Sequence, residues 1–237
     1  MSELKKLAFV TGGSRGLGLQ NAKDLVRLGY DVVLVASNEE LLRARASELG
    51  AQYRAVGLAD LERTQAVFSE MQETFGTPDV LILAHGVMSE KMSKTLRTTI
   101  DEWRRVLGIN LDSVFAIINS VVPAMAERRS GRVVAYSACL GRMSGPGNAG
   151  GLAPYRISKA GVNALVRNLA HETGLGARGL LVDAVCPNHT RTDMGGPDAP
   201  RSIEEGADTA LWLATREFTP GVDITGVLWE DREVIPF

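Results

Sequence analysis

Short, continuously apolar runs alternate along this chain with longer segments in which apolar positions recur every third or fourth residue. The apolar runs have the length of buried strands, and the longer segments have the periodicity of amphipathic helices. Seven strands are predicted, over residues 7–10, 31–36, 53–56, 79–83, 132–136, 180–185 and 224–229. The predicted helices cover residues 16–28, 39–49, 60–75, 100–118 and 155–173.

Continuously apolar strands that alternate with helices are typical of a parallel sheet covered on both faces. The sequence therefore predicts an α/β fold, a Rossmann-type, doubly wound, seven-stranded parallel sheet with helices on both faces. Residues 1–237 contain no linker, composition break or internal repeat, so a single domain is expected. Two loops, over residues 141–154 and 187–203, follow strands at their carboxyl ends, where such sheets bind ligands.

The bulk composition narrows the classes of partner. Apolar residues make up 45% of the chain and charged residues 23%, as in an ordinary soluble globular protein. The net charge of −2 gives no electrostatic reason to expect nucleic acid or an anionic membrane as a partner. No run reaches the ~18 apolar residues that cross a bilayer, and the first apolar stretch is too short for a signal peptide. We therefore expect a cytoplasmic protein.

The two cysteines, Cys139 and Cys186, are too few for a disulfide framework and fit a reducing compartment. Each lies in an apolar, strand-like run, so buried and unreactive thiols are expected. No spacing of histidine, cysteine and carboxylate residues indicates a metal site.

A glycine-rich segment, Thr11 to Gly18, connects the first predicted strand to the first predicted helix. Glycines at such a turn let backbone N–H groups approach a phosphate at the positive end of a helix. The segment therefore predicts a dinucleotide site, and an ordinary turn is the alternative. Its predicted cofactor-binding residues are Gly12, Ser14, Arg15, Gly16, Leu17 and Gly18.

The end of the second strand bears on the choice between NAD and NADP. An acidic residue there would hydrogen-bond the ribose 2′-hydroxyl and repel a 2′-phosphate. This chain instead has Ser37 and Asn38, with no carboxylate before Glu39, and Arg15 adds a cation that suits a phosphate. These residues favour NADP(H) over NAD(H), unless Arg15 is a solvated surface arginine and the ribose pocket is merely neutral.

Tyr155 and Lys159 are one turn apart on one face of the helix predicted over residues 155–173. A free tyrosine has a pKa of about 10. To act as an acid and base at neutral pH, its pKa must fall by about three, which corresponds to ~4 kcal/mol. A neighbouring ammonium and a cationic nicotinamide favour the phenolate and are expected to lower this pKa. The hydroxyl of Ser137, at the end of the fifth strand, suits a substrate oxygen. A purely structural tyrosine–lysine pair is the alternative.

Taken together, these residues carry a resemblance to a known family. Over essentially its whole length the chain resembles the short-chain dehydrogenase/reductase family, through Thr11-Gly12-x3-Gly16-x-Gly18, Asn110, Ser137 and Tyr155-x3-Lys159. In detail it is similar to the carbonyl-reductase-like branch, through Pro187, residues 191–197, residues 202–208 and the ending 231–237.

The resemblance implies a role for each residue of the set. Tyr155 would donate a proton to a carbonyl oxygen as hydride arrives from the nicotinamide, and Lys159 would lower the pKa of Tyr155 and hold the nicotinamide ribose. Ser137 would orient the carbonyl, and Asn110 would anchor a proton-relay water. Further cofactor contacts are expected from Ala84, Gly86, Pro187, Asn188, Thr190 and Thr192. Relatives often associate through their long helices, so a dimer, a tetramer and a monomer all stay open.

The chain also departs from the family pattern. Leu83-Ala84-His85-Gly86 stands where the family usually has Asn-Asn-Ala-Gly, so contacts to the adenine ribose there would be altered or made by the backbone. Asn188 replaces a glycine, and asparagine is the next-best residue where φ is positive. His85 and His189 are expected near the cleft, as neutral hydrogen-bonded side chains or as substrate contacts.

The segment before Tyr155 is longer than is common in the family. Eighteen positions separate Ser137 from Tyr155, and the extra residues, within 144–151, predict either a lid over the substrate pocket or a flexible surface loop. Methionines near the predicted cleft would line an apolar pocket or fill the core; they are Met88, Met92, Met143 and Met194.

The sequence therefore predicts an oxidoreductase that transfers a hydride between NADPH and a small-molecule ketone or aldehyde, or acts in reverse on a secondary alcohol. One alternative keeps the fold and cofactor and changes the reaction to epimerase, dehydratase or cyclase chemistry. Another is a non-catalytic NADP-binding regulator, which the missing cofactor contacts favour and the complete catalytic set leaves unexplained.

Overall fold

An eight-stranded sheet separates two layers of helices. The computed structural model describes residues 5–90, 94–145 and 150–237. The strands are β1 (Leu7–Thr11), β2 (Asp31–Ala36), β3 (Gln52–Ala55), β4 (Val80–Leu83), β5 (Gly131–Tyr136), β6 (Leu180–Val185), β7 (Leu228–Glu230) and β8 (Glu233–Ile235). Their order in the sheet is β3-β2-β1-β4-β5-β6-β7-β8, and β1 to β7 are parallel.

Among the described residues, seven α-helices cover the two faces of the sheet. They are α1 (Gly16–Arg27), α2 (Glu39–Leu49), α3 (Leu61–Phe75), α4 (Ile100–Leu107), α5 (Ser113–Arg128), α6 (Ala153–Glu172) and α7 (Ile203–Thr215). Successive side chains of a strand point to opposite faces, so Phe9 of β1 packs in one core with α3, α5 and α6, and Val10 packs in the other with α1, α2 and α7. The predicted doubly wound α/β architecture is confirmed.

The sheet differs from the prediction at its last edge. Seven parallel strands were expected, and β8 is an eighth strand that pairs antiparallel with β7. Asp231 and Arg232, between them, both have positive φ, of 52° and 62°. Two consecutive positive φ angles are what a tight type I′ hairpin turn requires. The sequence signal was weak because neither residue is the glycine or asparagine that usually marks this turn.

The long amphipathic helix predicted over residues 100–118 is longer and contains an irregular turn. Helices α4 and α5 are joined by a π-helical turn, Gly108–Asp112, so that helical backbone continues from Ile100 to Arg128. Within the described ranges this is the one helix long and apolar enough to cross a membrane by length and composition, and half of its most apolar stretch is buried. Ile117 and Val121 lie in the core, which accounts for the apolar composition.

Candidate active site

A cleft of about 750 Å³ lies at the carboxyl ends of the parallel strands. Such sheets bind ligands at this edge. Most of the sequence-predicted site residues line the cleft, namely Gly12, Ser14, Arg15, Gly16, Leu17, Gly18, Ser37, Ala84, Gly86, Ser137, Tyr155, Lys159, Pro187 and Thr192. Four others do not line it, namely Asn38, Asn110, Asn188 and Thr190.

The glycine loop forms its wall of the cleft with backbone. Gly12 has a φ of +66°, and a Cβ atom there would lie 2.8 Å from the carbonyl oxygen of Ala84. A Cβ atom at Gly18 would lie 2.5 Å from the carbonyl oxygen of Gly12. These positions leave no room for a side chain, and helix α1 begins directly at Gly16. The segment therefore presents a helix N-terminus and close backbone to the cleft, as a phosphate cradle requires.

The predicted 2′-phosphate region holds an ion pair that the sequence did not reveal. Arg15 Nη1 lies 2.7 Å from the Asp193 carboxylate, which belongs to the loop after β6, and both side chains are more than 70% exposed. Ser37 is exposed at the end of β2. The Asn38 side chain accepts a hydrogen bond of 2.9 Å from the Leu41 amide and so caps α2. Asn38 therefore serves the helix, which explains why its side chain does not line the cleft.

Tyr155 and Lys159 lie in the first two turns of α6, and both side chains are buried at the cleft. The Lys159 ammonium is 5.9 Å from the centre of the Tyr155 ring and donates a 2.7 Å hydrogen bond to the Tyr136 carbonyl. Burial lowers the pKa of Lys159 to about 8. Burial, with a smaller contribution from the nearby cysteine thiols, raises the pKa of Tyr155. The protein alone therefore does not lower the tyrosine pKa as the sequence led us to expect, because burial disfavours the charged phenolate.

Ser137 follows β5 and is held by α6. Its hydroxyl donates a 2.5 Å hydrogen bond to Asn163 Oδ1 and lies 3.3 Å from the Lys159 carbonyl. Asn163 was missed at the sequence level, although it is four residues after Lys159 and so lies on the same face of the helix. The arrangement fixes the serine oxygen at the wall of the cleft.

Asn110 lies in the π-helical turn and is fully buried. Its amide nitrogen donates to the Val87 carbonyl at 2.9 Å and to Ser158 Oγ at 3.0 Å, and its amide oxygen accepts from the Val87 amide at 2.7 Å. Asn110 thus ties the segment after β4 to α6, next to Lys159. Its role as a water anchor stays a prediction.

His85 joins the glycine loop to helix α5. Its Nδ1 atom lies 2.6 Å from Thr11 Oγ1, and its Nε2 atom lies 2.8 Å from Ser113 Oγ. Because Ser113 donates its proton to the Ile109 carbonyl at 2.7 Å, the serine oxygen accepts from Nε2–H and the Thr11 hydroxyl donates to Nδ1. Burial, aided by the charge of Lys159, lowers the pKa of His85 to about 3. The expectation of a neutral, hydrogen-bonded histidine is confirmed.

The loop after β6 supplies the remaining wall. Asn188 has a φ of +57°, a conformation that asparagine adopts more readily than most other residues with a side chain. Thr190 is buried and donates to the Pro187 carbonyl at 2.9 Å, so its hydroxyl serves the loop itself. His189 Nε2 bonds the Gly195 carbonyl at 2.8 Å. The predicted cofactor contacts of Asn188 and Thr190 stay predictions.

Apolar residues surround Tyr155. Val87, Met88, Leu140 and Leu152 pack in one cluster with Tyr155. Met143 is exposed, Met194 lines the cleft, and Met92 lies outside the described residues. The predicted lid over 144–151 is described only in part, because residues 146–149 also lie outside. Sequence reasoning did not single out several other lining residues, among them Ala36, Val56, Leu58, Ala59, Ile109, Arg191 and Ile203.

Comparisons of sequence identify relatives of this chain. The sequence profile described as short chain dehydrogenase matches residues 6–202. The chain is 34% identical over 196 residues to the 3-oxoacyl-[acyl-carrier-protein] reductase FabG of Salmonella typhimurium, a match that covers 82% of this chain and 77% of the relative. It is 33% identical over 191 residues to the enzyme of the same name from Escherichia coli, with 80% and 75% covered.

Comparisons of structure agree with the sequence matches. A solved short chain dehydrogenase/reductase family protein superposes with a TM-score of 0.83 at 23% identity and covers 97% of this chain and 96% of its own. A structure named ribose-5-phosphate isomerase from Brucella melitensis 16M superposes with a TM-score of 0.83 at 26% identity and covers 96% and 91%. With the family profile matched over most of the chain, this protein belongs to the short-chain dehydrogenase/reductase family.

Proposed function

We propose that this chain is an NADP(H)-dependent reductase that transfers a hydride to a ketone or aldehyde, or in reverse oxidises a secondary alcohol, with Tyr155 as the acid/base. One observation carries the proposal: a buried tyrosine and a buried lysine lie one helical turn apart in the cleft that the glycine loop also lines. The relatives named as 3-oxoacyl-[acyl-carrier-protein] reductases support a carbonyl substrate.

The protonation states suit reduction. Burial raises the pKa of Tyr155, so its hydroxyl carries a proton to donate at neutral pH. The pKa of Lys159, near 8, leaves its ammonium charged in most molecules at neutral pH. That charge would stabilise the phenolate that Tyr155 becomes after donation. Ser137 would have to turn its hydroxyl away from Asn163 in order to donate to the substrate oxygen, since it has a single proton.

The residues present fit a nicotinamide dinucleotide, which when bound supplies the hydride. The glycine loop, where Cβ atoms at Gly12 and Gly18 would collide with backbone, would hold the pyrophosphate by N–H groups. Ser37 and Arg15 would hold the 2′-phosphate. The Arg15–Asp193 pair is exposed, and such pairs are worth ~0–1 kcal/mol. A phosphate would therefore displace Asp193 at little cost.

A second candidate keeps the fold and cofactor and changes the reaction to epimerase, dehydratase or cyclase chemistry. The similarity to a structure named as an isomerase favours it. A third candidate is the non-catalytic NADP-binding regulator. It is supported by Leu83 and Ala84, which stand where the family pattern has two asparagines that contact the cofactor. The third does not explain why a buried tyrosine lies beside a buried lysine in the cleft.

We further propose a single-domain cytoplasmic enzyme whose partners are small molecules. The net charge of −2 supports the absence of a nucleic-acid or membrane partner. Phe115 on α5 and Ile157 on α6 are exposed apolar residues on the long helices, where a homodimer or tetramer would associate, and a monomer stays open.

The test is NADPH oxidation, followed by its absorbance, with a panel of ketones, aldehydes and 3-oxoacyl thioesters. Tyr155→Phe keeps the ring and removes the proton, so turnover should fall by about 10²–10⁴-fold with NADPH affinity unchanged. Turnover of the wild type without net redox change would instead support the second candidate. NADPH binding with no turnover of any substrate would support the third.

A further inference from the structure

The two cysteines of the chain follow neighbouring parallel strands and meet beside the active site. Cys139 begins a short 3₁₀ helix, Cys139–Gly141, after β5, and Cys186 directly follows β6. The Cys139 amide donates a hydrogen bond of 3.0 Å to Cys186 Sγ. Because an N–Cα bond is about 1.46 Å long, the Cys139 Cα lies within about 4.5 Å of the Cys186 sulfur. The two cysteines therefore lie side by side at the ends of neighbouring strands.

The two thiols differ in exposure and in acidity. Cys139 is half-buried and Cys186 is buried. The hydrogen bond from Cys186 lowers the pKa of Cys139 to about 6, while the same bond, together with burial, raises the pKa of Cys186. The more accessible sulfur is therefore the one that ionises, and the thiolate is the reactive form of cysteine. The buried partner is placed to attack a modified Cys139.

We propose that Cys139 and Cys186 form a dithiol modification site, which hydroperoxides convert into an intramolecular disulfide that lowers the activity of the neighbouring site. The Cys139 thiolate attacks the peroxide oxygen, the O–O bond breaks, and Cys139 becomes a sulfenic acid as hydroxide or alkoxide leaves. The Cys186 thiol then attacks this sulfur, the S–O bond breaks, and water leaves with the thiol proton. Two thiols are oxidised and one peroxide is reduced.

The effect on activity follows from the neighbours of Cys139 and rests on the proposed function. Ala138 and Leu140, on either side of Cys139, pack in one apolar cluster with Tyr155. Disulfide formation brings the sulfurs to about 2.05 Å, closer than hydrogen-bonded thiols. The short helix must therefore shift toward β6, and the two residues that pack on Tyr155 shift with it.

The chain has only these two cysteines, so its thiol chemistry can be counted completely. Reduced full-length protein is treated with hydrogen peroxide, and intact mass, free thiols and NADPH-dependent turnover are measured before and after dithiothreitol. The variants Cys139→Ser and Cys186→Ser each leave one thiol without a partner. If a buried serine at position 186 prevents folding, Cys186→Ala is used in place of Cys186→Ser. Wild type should lose both thiols and the mass of two hydrogen atoms, and its turnover should fall at least tenfold and return with dithiothreitol.

Each result decides the proposal. Single variants that keep their turnover after peroxide support it, because they cannot close the ring. Addition of oxygen atoms to wild-type Cys139, a disulfide only between chains, or thiols that stay free would overturn it. A disulfide that forms without loss of turnover would overturn the link to Tyr155. If the reduced enzyme turns over no carbonyl substrate, the proposed function fails, while mass and thiol counts still decide whether the site exists.

Discussion

The glycine loop and helix α6 line the same cleft, yet they are built in opposite ways. The loop acts through its backbone, since Gly12 and Gly18 leave no space for a Cβ atom. Helix α6 acts through side chains, since Tyr155 and Lys159 are buried on its inner face and Asn163 holds Ser137. The two regions should therefore be sensitive to different substitutions. In the loop, adding a Cβ atom to a glycine should be the most harmful change. In the helix, removing a polar atom from a buried side chain should be the most harmful change.

The substitution Gly18→Ala, in the glycine loop, should have the largest effect on NADPH affinity. The new Cβ atom would lie 2.5 Å from the Gly12 carbonyl oxygen, a backbone atom that cannot turn aside. We expect NADPH affinity, measured by fluorescence titration, to fall by more than ~100-fold, and the free energy of unfolding to fall by ~1–3 kcal/mol. Gly150→Ala is the control, because no atom of the residues that the structure describes lies within 4 Å of its Cβ position. Normal NADPH binding by Gly18→Ala would remove the contrast between loop and helix.

His85 joins the two regions, and its titration gives an effect of intermediate size. Its pKa is about 3 in the folded protein, against 6.5 for an unperturbed histidine, so the unfolded chain takes up the proton first as pH falls. Folded wild type should therefore lose stability below pH 6.5, by roughly 2.5 kcal/mol at about pH 4.5. His85→Phe keeps a ring and cannot titrate, so urea unfolding of the variant should lack this part of the slope. Parallel pH dependence in the two proteins would show that His85 is not held neutral.

Arg15 gives the smallest expected effect, because its side chain is exposed. Arg15→Ala should weaken NADPH binding about tenfold, or ~1.4 kcal/mol, the size of one charge-assisted hydrogen bond. NADH binding should be unchanged, since it carries no 2′-phosphate. Asp193→Asn removes the present partner of Arg15 and should leave NADPH affinity unchanged or slightly tighter. Equal weakening of NADPH and NADH by Arg15→Ala would assign Arg15 to the pyrophosphate.

The parts of this protein that the sequence predicted well depend on local pattern. Apolar runs and helical periodicity located the first six strands to within a few residues. The edge strand β8 was not predicted, because the Asp231-Arg232 turn before it lacks the glycine or asparagine that usually marks such a turn. The π-helical turn was also missed, since an extra residue in one turn leaves the apolar periodicity of a long helix almost unchanged.

The missed parts of the site are pairs brought together by folding. Asp193 is 178 positions from Arg15, and Ser113 is 28 positions from His85. Cys139 and Cys186, expected to be unreactive, meet only because β5 and β6 are neighbours in the sheet. Burial raises the pKa of Tyr155, and the spacing of Tyr155 and Lys159 along the helix did not reveal this. Periodicity reports which face is buried but not which polar groups meet there.

In the proposed reaction, a hydride and the Tyr155 proton reach one C–O bond in this cleft. The most direct measurement uses NADPH that carries deuterium at the transferred position and follows the label into the alcohol by mass spectrometry. We expect wild type to place one deuterium on the carbinol carbon of the alcohol. We expect Tyr155→Phe to bind NADPH but to form no labelled alcohol above background. Unlabelled product from wild type, or equal labelling by Tyr155→Phe, would contradict it.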